Sequence, residues 1–244
     1  MIVFLIVIVA SIVCVVPIRS LFDGFAAALI EASPGLPIGP GGRPVRRRVL
    51  YGESMFSSDT LSGLLQLRVD PREGGRPPRD WVPRLRAGDR HRSGEVTAVW
   101  EGAVASPRRV FDEVGGWPGP FRIVHEGIDL AWRVMDAGYR VEYAGDIAVR
   151  HPLPSPAPAR HWYSLELGVR NRVWLARRHL RLPLALMYVL SFTLRALLRV
   201  RAAGDLRAIA KGLREGVREP CGTRKPLRAR TLWRMTRIGR PPVI

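Results

Sequence analysis

Residues 114–151 read VGGWPGPFRIVHEGIDLAWRVMDAGYRVEYAGDIAVRH. Gly115 and Gly116 are the residues a chain uses to end a short helix, because a helix C-terminus favours positive φ, and Trp117 and Pro118 follow at the turn. From Glu126 to Ala137 apolar side chains recur at helical spacing, and Gly138 stops the pattern. Tyr139, Val141 and Tyr143 then alternate with Arg140 and Glu142, the period of a strand, and His151 closes the run. Helix, glycine stop and strand in that order predict an α/β unit.

Upstream, VTAVWEGAVAS at 96–106 reads as a buried strand. Ser106 and Pro107 supply an N-cap and a first-turn proline for a helix to Val114, with Val110, Phe111 and Val114 as its apolar face. Residues 33–92 turn to Gly, Pro and Arg, a composition that buries too little apolar surface to order itself. Within that region 49–67 offers one amphipathic segment, with Leu61, Leu64, Leu65 and Arg68 at helical spacing. The opening MIVFLIVIVASIVCVVP has three readings: a signal-peptide core, a short membrane helix, or a buried strand and turn. No basic residue precedes it, it falls short of the roughly 20 apolar residues a span needs, and its β-branched content suits a strand.

Beyond His151 a proline-broken connector, PLPSPAPAR, leads to a helix at 161–179 studded with arginine. LPLALMYVLSFTLRALLRV at 182–200 is apolar until Arg195 and Arg199, and the tail at 201–244 is basic, with Trp233 and Met235 placed to lie against an anionic surface. The chain divides into an apolar start (1–20), a poorly ordered Gly/Pro/Arg segment (21–95), a core (96–160) and a helical basic extension (161–244).

At 244 residues and 47% hydrophobic content the chain can build a core of ordinary domain size. Its net charge of +18 predicts attraction to polyanions: nucleic acid, anionic lipid or phosphate-bearing substrates. Only Lys211 and Lys225 are lysines, a bias that a GC-rich coding sequence would produce. No helix-turn-helix, zinc or RNA-binding signature accompanies the arginines, which disfavours nucleic acid as the partner. Cys14 and Cys221 make no disulfide framework, so a reducing setting is the default. The string H-E-x-x-D at 125–129 has an aspartate where a zinc protease has its second histidine, and no third ligand is signalled.

The same stretch resembles the second half of the catalytic domain of family 2 glycosyltransferases, whose pattern runs close to GGF, an acidic EDxDLxxR, AGYRV and a histidine after the next strand. The resemblance covers about 96–151 and, loosely, the helices after it. It implies an α/β fold, part of a Rossmann-like GT-A glycosyltransferase domain with a C-terminal helical, membrane-associated extension at the cytoplasmic face. It also implies sugar transfer from a nucleotide sugar to a polysaccharide or lipid-linked acceptor, and, in intact relatives, Mg²⁺ or Mn²⁺. Ahead of Val96 neither a nucleotide-binding opening nor a D-x-D motif is recognisable, so the expectation is a protein carrying mainly the acceptor-side half. A truncated, non-catalytic relative or partner subunit is the alternative.

Carried over residue by residue, Glu126 matches the first acid of the family's pair, and Gly127 replaces the second, the one often given the base role. Glu126 is therefore the expected general base. Asp129 and Arg133 match DLxxR, and their i,i+4 spacing favours an ion pair that orients the helix over direct substrate contact. Trp117 stands for the usual Phe and either stacks on a sugar ring or plugs the turn beneath it. Gly115 and Gly116 are expected to act through backbone conformation at the substrate turn. His151 matches a position near the donor diphosphate or its metal in some relatives, although a lone histidine at a strand end is more often simply hydrogen-bonded. No metal ligand is assigned.

Overall fold

The computed structural model describes residues 4–7, 63–78, 81, 90–153 and 158–242. The fold is mixed α/β and separates into two compact units. One comprises Met1–Gly94, Trp100–Arg108 and Glu142–Leu153, the other Glu95–Val99, Arg109–Val141 and Pro154–Ile244.

A five-stranded sheet, most of whose residues belong to the first unit, consists of β1 (Phe4–Val7), β2 (Gly63–Pro71), β3 (Gly94–Glu95), β4 (Val104–Pro107) and β5 (Arg140–His151), in the order β1-β4-β2-β5-β3. β4 pairs antiparallel with β1, Phe4 opposite Pro107 and Val7 opposite Val104, and with β2, Leu65 opposite Ala105. Leu65, Leu67 and Val69 share one face of β2 by the two-residue period of a strand, and cluster with Trp81, Ala103, Ala105 and Ala144. Gln66, fully buried between them, is satisfied at both ends: its Nε2 donates to Trp81 O (3.2 Å) and its Oε1 accepts from Trp100 N (2.9 Å).

Two expectations are corrected in this unit. Leu64 and Leu65 lie on a strand and not on a helix, because pairing with β4 overrides a weak 3.6-residue pattern. The strand expected over 96–106 is confined to Val104–Pro107, since a turn at Glu101–Gly102 interrupts it, and Ser106 and Pro107 are its last residues, with the next helix starting at Arg108. Phe4–Val7 of the apolar opening is a strand; the rest of that opening and all of 33–48 lie outside the described residues.

The second unit is helical: α1 (Arg108–Glu113), a 3-10 turn (Gly119–Phe121), α2 (Glu126–Ala137), α3 (Pro158–His179), α4 (Leu182–Leu197), α5 (Ala203–Arg218) and α6 (Ala229–Arg237). α2 has the bounds its sequence predicts. Leu130, Ala131, Val134 and Met135 are its buried face, and Gly138 at φ 103° closes it with Gly138 N donating to Met135 O and Tyr139 N to Val134 O, the paired bonds of a left-handed C-terminus. α5 packs on α3 at close range: a Cβ on Gly212 would lie 2.5 Å from Glu166 O, and one on Gly216 2.6 Å from Val173 Cβ.

The basic tail belongs to this unit's core. Asp136 of α2 accepts from Arg228 N (2.9 Å) and Thr231 Oγ1 (2.7 Å) at the start of α6, and Arg234 Nη1 donates to Tyr139 O (2.8 Å). Met235, expected against an anionic surface together with Trp233, is fully buried instead; only Trp233 of the pair is exposed. The helix is amphipathic, and its apolar side seats on protein because Asp136 fixes its first turn there. Among the described residues no helix is long and apolar enough to cross a membrane.

The α3–α5 approach yields a direct test. Gly212→Ala should cost about 1–3 kcal/mol by overpacking, visible as a lowered midpoint in thermal circular dichroism. Ala210→Gln, on the exposed side of the same helix, should stay within about 0.5 kcal/mol of the parent. Equal midpoints for the two variants would contradict the close packing.

Candidate functional site

The site is built in the second unit around the N-terminus of α2. Gly115 and Gly116 both sit at positive φ, 81° and 64°, as their turn requires, and Gly116 N donates to Phe111 O (2.8 Å). Arg133, one turn along from Asp129, reaches back to this turn. Its Nη2 donates to Gly116 O (2.6 Å) and its Nη1 to Val114 O, while its Nε donates to Asp129 Oδ2 (2.7 Å). A single planar guanidinium thus ties the glycine turn to α2, the orienting role that the i,i+4 spacing favours. Trp117 packs edge-on against Phe111 at 6.1 Å, and a Cβ on Gly116 would come within 3.0 Å of that phenyl ring. This contact fits the plug reading of Trp117.

Asp129 is fully buried and is shared by more partners than Arg133 alone. Its Oδ1 lies 2.6 Å from His179 Nε2 and 3.2 Å from Arg178 Nε, both at the C-terminal end of α3. Burial by itself would raise the carboxyl's pKa, but the hydrogen bond from His179 and the charges of His179, Arg133 and Arg178 outweigh it, and the net direction is downward. Asp129 is therefore an ionised anchor whose lone pairs are committed to protein donors.

The segment leading into α2 holds the most unusual backbone in the described chain. Arg122, Val124 and His125, none of them glycine, take φ values of 60°, 69° and 73°. Left-handed conformations cost β-branched and bulky residues free energy and persist only where surroundings impose them. The imposing group is Asn171 of α3, whose Nδ2 lies 3.0, 2.9 and 2.6 Å from the carbonyl oxygens of Phe121, Ile123 and Val124. Its two amide hydrogens are shared among three acceptors, which gathers the loop around one side chain. Arg172 Nε donates to His125 Nε2 (3.1 Å). Burial first and the Arg172 charge second hold the His125 pKa well below the usual imidazole range, so the ring is neutral with its proton on Nδ1.

Glu126 emerges from this loop as the first residue of α2, half-buried. A carboxylate there is favoured by the positive end of the helix dipole and by backbone N–H groups. Glu126, Asp129, Arg133 and the Gly115–Trp117 turn are thus brought together in one unit. His151 is not part of that group: it belongs to the first unit, where its ring stands edge-on to Trp81 (5.1 Å) and Trp100 (5.3 Å) and its Nδ1 lies 2.7 Å from Pro152 O. Those contacts account for His151 as a packed side chain. Among the described residues no group of three or more His, Cys, Asp or Glu side chains is placed to hold a metal ion, and no ligand is assigned to the Mg²⁺ or Mn²⁺ that the resemblance implies.

Sequence reading missed Asn171, Arg172, Arg178 and His179. A signal was present: Asn171 and Arg178, like Arg172 and His179, are seven residues apart, which places each pair on one face two turns along α3. No family model matches the chain, and no curated protein matches it.

The Asp129 cluster gives a signed pH dependence. Because the carboxyl's pKa is lowered on folding, its contribution is present above the unfolded value, near 4, and is lost as pH falls through the folded value. Asp129→Asn should cost about 3–5 kcal/mol, since it leaves buried cations without their anion. It should also flatten the acid limb of a midpoint-against-pH series, with Asp136, lowered in the same sense, accounting for what remains. A variant with the parent's acid limb would show that the cluster does not carry this dependence.

Proposed function

We propose that the chain is a family 2 glycosyltransferase-like protein that moves a sugar from a nucleotide sugar to a polysaccharide or lipid-linked acceptor, at the cytoplasmic face of a membrane. The observation that carries the reading is the delivery of Glu126. A loop held in three left-handed conformations by Asn171 presents that one carboxylate at a helix N-terminus, on the helix that Arg133 ties to the Gly-Gly-Trp turn. Energetically costly backbone of this kind concentrates at functional sites.

In this reading the Glu126 carboxylate takes the proton of the acceptor hydroxyl as its oxygen attacks the sugar's anomeric carbon, and the nucleoside diphosphate departs with the bonding pair. The bond to the acceptor forms on the face opposite the leaving group, so configuration inverts. Asp129 and Arg133 do not touch the substrates; they position α2 and the glycine turn. Trp117 lends the turn an aromatic body that contacts the acceptor from its unburied side. His151 has no step in this mechanism. A second reading, a non-catalytic relative, is favoured by one observation: Gly127, buried in the first turn of α2, stands where relatives carry their second acid.

Kinetics with nucleotide sugar and a lipid-linked acceptor separate the readings. Glu126→Gln should lower turnover by about 10²–10⁴ with an unchanged circular dichroism spectrum, because the amide keeps the shape but not the basicity. Turnover retained in that variant removes Glu126 from the mechanism. Absence of donor binding by the parent chain selects the non-catalytic reading.

A further inference from the structure

Between Glu166 and Asp205 the chain contains no acidic residue, and this interval includes all of α4. On α4 the exposed large side chains are Leu182, Leu186, Met187, Leu190, Leu194 and Leu197, with Leu198 just past its end. At about 100° per residue they fall on a single arc roughly 160° wide. No charged residue lies on that arc. Leu182, Leu190 and Leu198 are 68, 67 and 78% exposed, which is unusual for leucines at the middle and both ends of one helix face.

The opposite face of α4 is seated on protein. Tyr188 is buried against Trp132, and Arg172 lies over the Phe192 ring (3.9 Å) while donating to Tyr188 Oη (3.3 Å). The helix is therefore held in place independently of its leucine arc. Arginines flank the helix at its ends: Arg181 before it, Arg195 in its last turn on the side away from the arc, and Arg199 and Arg201 just after it, with Arg181, Arg199 and Arg201 exposed.

We propose that α4 is an in-plane membrane anchor: its leucine arc inserts into the boundary of an anionic phospholipid bilayer, and Arg181, Arg195, Arg199 and Arg201 bind the headgroups. This deepens the membrane part of the proposed function and rests on that part alone, not on sugar transfer. Charge complementarity selects the occupant. A wide uncharged arc on a helix with exposed cations at both ends, in an interval without acidic residues, matches an acyl layer under anionic headgroups. A second copy would bring two arginine-flanked helices together on a chain already at +18. With 16 residues, α4 is too short to span but suited to lie in the interface. Arg172 adds a consequence: it also holds His125, so the membrane-facing helix and the loop that delivers Glu126 share one side chain.

The experiment is co-sedimentation of the full chain with phosphatidylcholine vesicles, with and without phosphatidylglycerol, over a salt series. The expected result is binding to the anionic vesicles that weakens with salt, and at least tenfold weaker binding by L186Q/L190Q/L194Q. These positions are solvent-exposed, and the fold is checked by circular dichroism. R199Q/R201Q should bind less tightly and with a shallower salt slope, while Glu126→Gln should bind as the parent does. That last variant keeps failure of the anchor distinguishable from failure of the transferase reading. Parent-like binding by the triple-leucine variant would overturn the proposal, as would equal binding to neutral vesicles. So would a parent chain that ignores vesicles and sediments as a dimer which the leucine substitutions dissociate.

Discussion

A buried carboxylate needs its charge compensated on every open side, and Asp129 meets that need by drawing three side chains from two helices onto one point. Arg133 comes from its own helix, and Arg178 and His179 from the far end of α3. The cations are not spent on Asp129 alone. Arg133 continues to the carbonyls of the glycine turn, and Arg178 Nη1 continues to Cys221 O (3.2 Å). Removing the anion would thus loosen the turn, the orientation of α2 and the segment after α5 at once, which is why the position is better understood as architecture than as a substrate contact.

α3 acts as the organiser of the second unit, and it does so through neighbouring residues with different tasks. Asn171 gathers the left-handed loop, Arg172 joins His125 to α4, and Arg178 and His179 close on Asp129. Its other side admits the backbone of α5 at Gly212 and Gly216. The strained loop is stable because its carbonyls are satisfied by a side chain from a rigid helix, and not because its own residues favour the conformation.

The arginine content takes on a different meaning once its partners are known. Arg177 donates to Gly216 O and Glu219 O, both at 2.7 Å, Arg228 Nε pairs with Asp136 Oδ2 (3.5 Å) and Arg234 with Tyr139 O to dock α6, and Arg133, Arg170 and Arg178 reach carbonyls and carboxylates inside the unit. A share of the positive charge therefore serves as internal hydrogen-bond donors, for which guanidinium has five N–H groups and a rigid fork. Arg181, Arg199 and Arg201, around α4, are by contrast exposed.

What the sequence determined by itself is what short-range physics can specify. The glycine turn at 115–116, the extent of α2 with its Gly138 stop, and the alternation at the start of β5 are all local: they follow from φ preferences and from periodicity within a few residues. The Asp129–Arg133 pair was legible for the same reason, being one helical turn apart. Tertiary structure alone decided the rest. The leucines of β2 became a strand because β4 offered a partner roughly 40 residues away, and Met235 went inside because Asp136 fixed the first turn of its helix. Asn171 meets the loop carbonyls across 47 to 50 residues, and His179 meets Asp129 across 50. Such contacts leave no periodic trace in a sequence, since a hydrogen bond between distant residues depends on where two elements pack and not on what surrounds either residue along the chain.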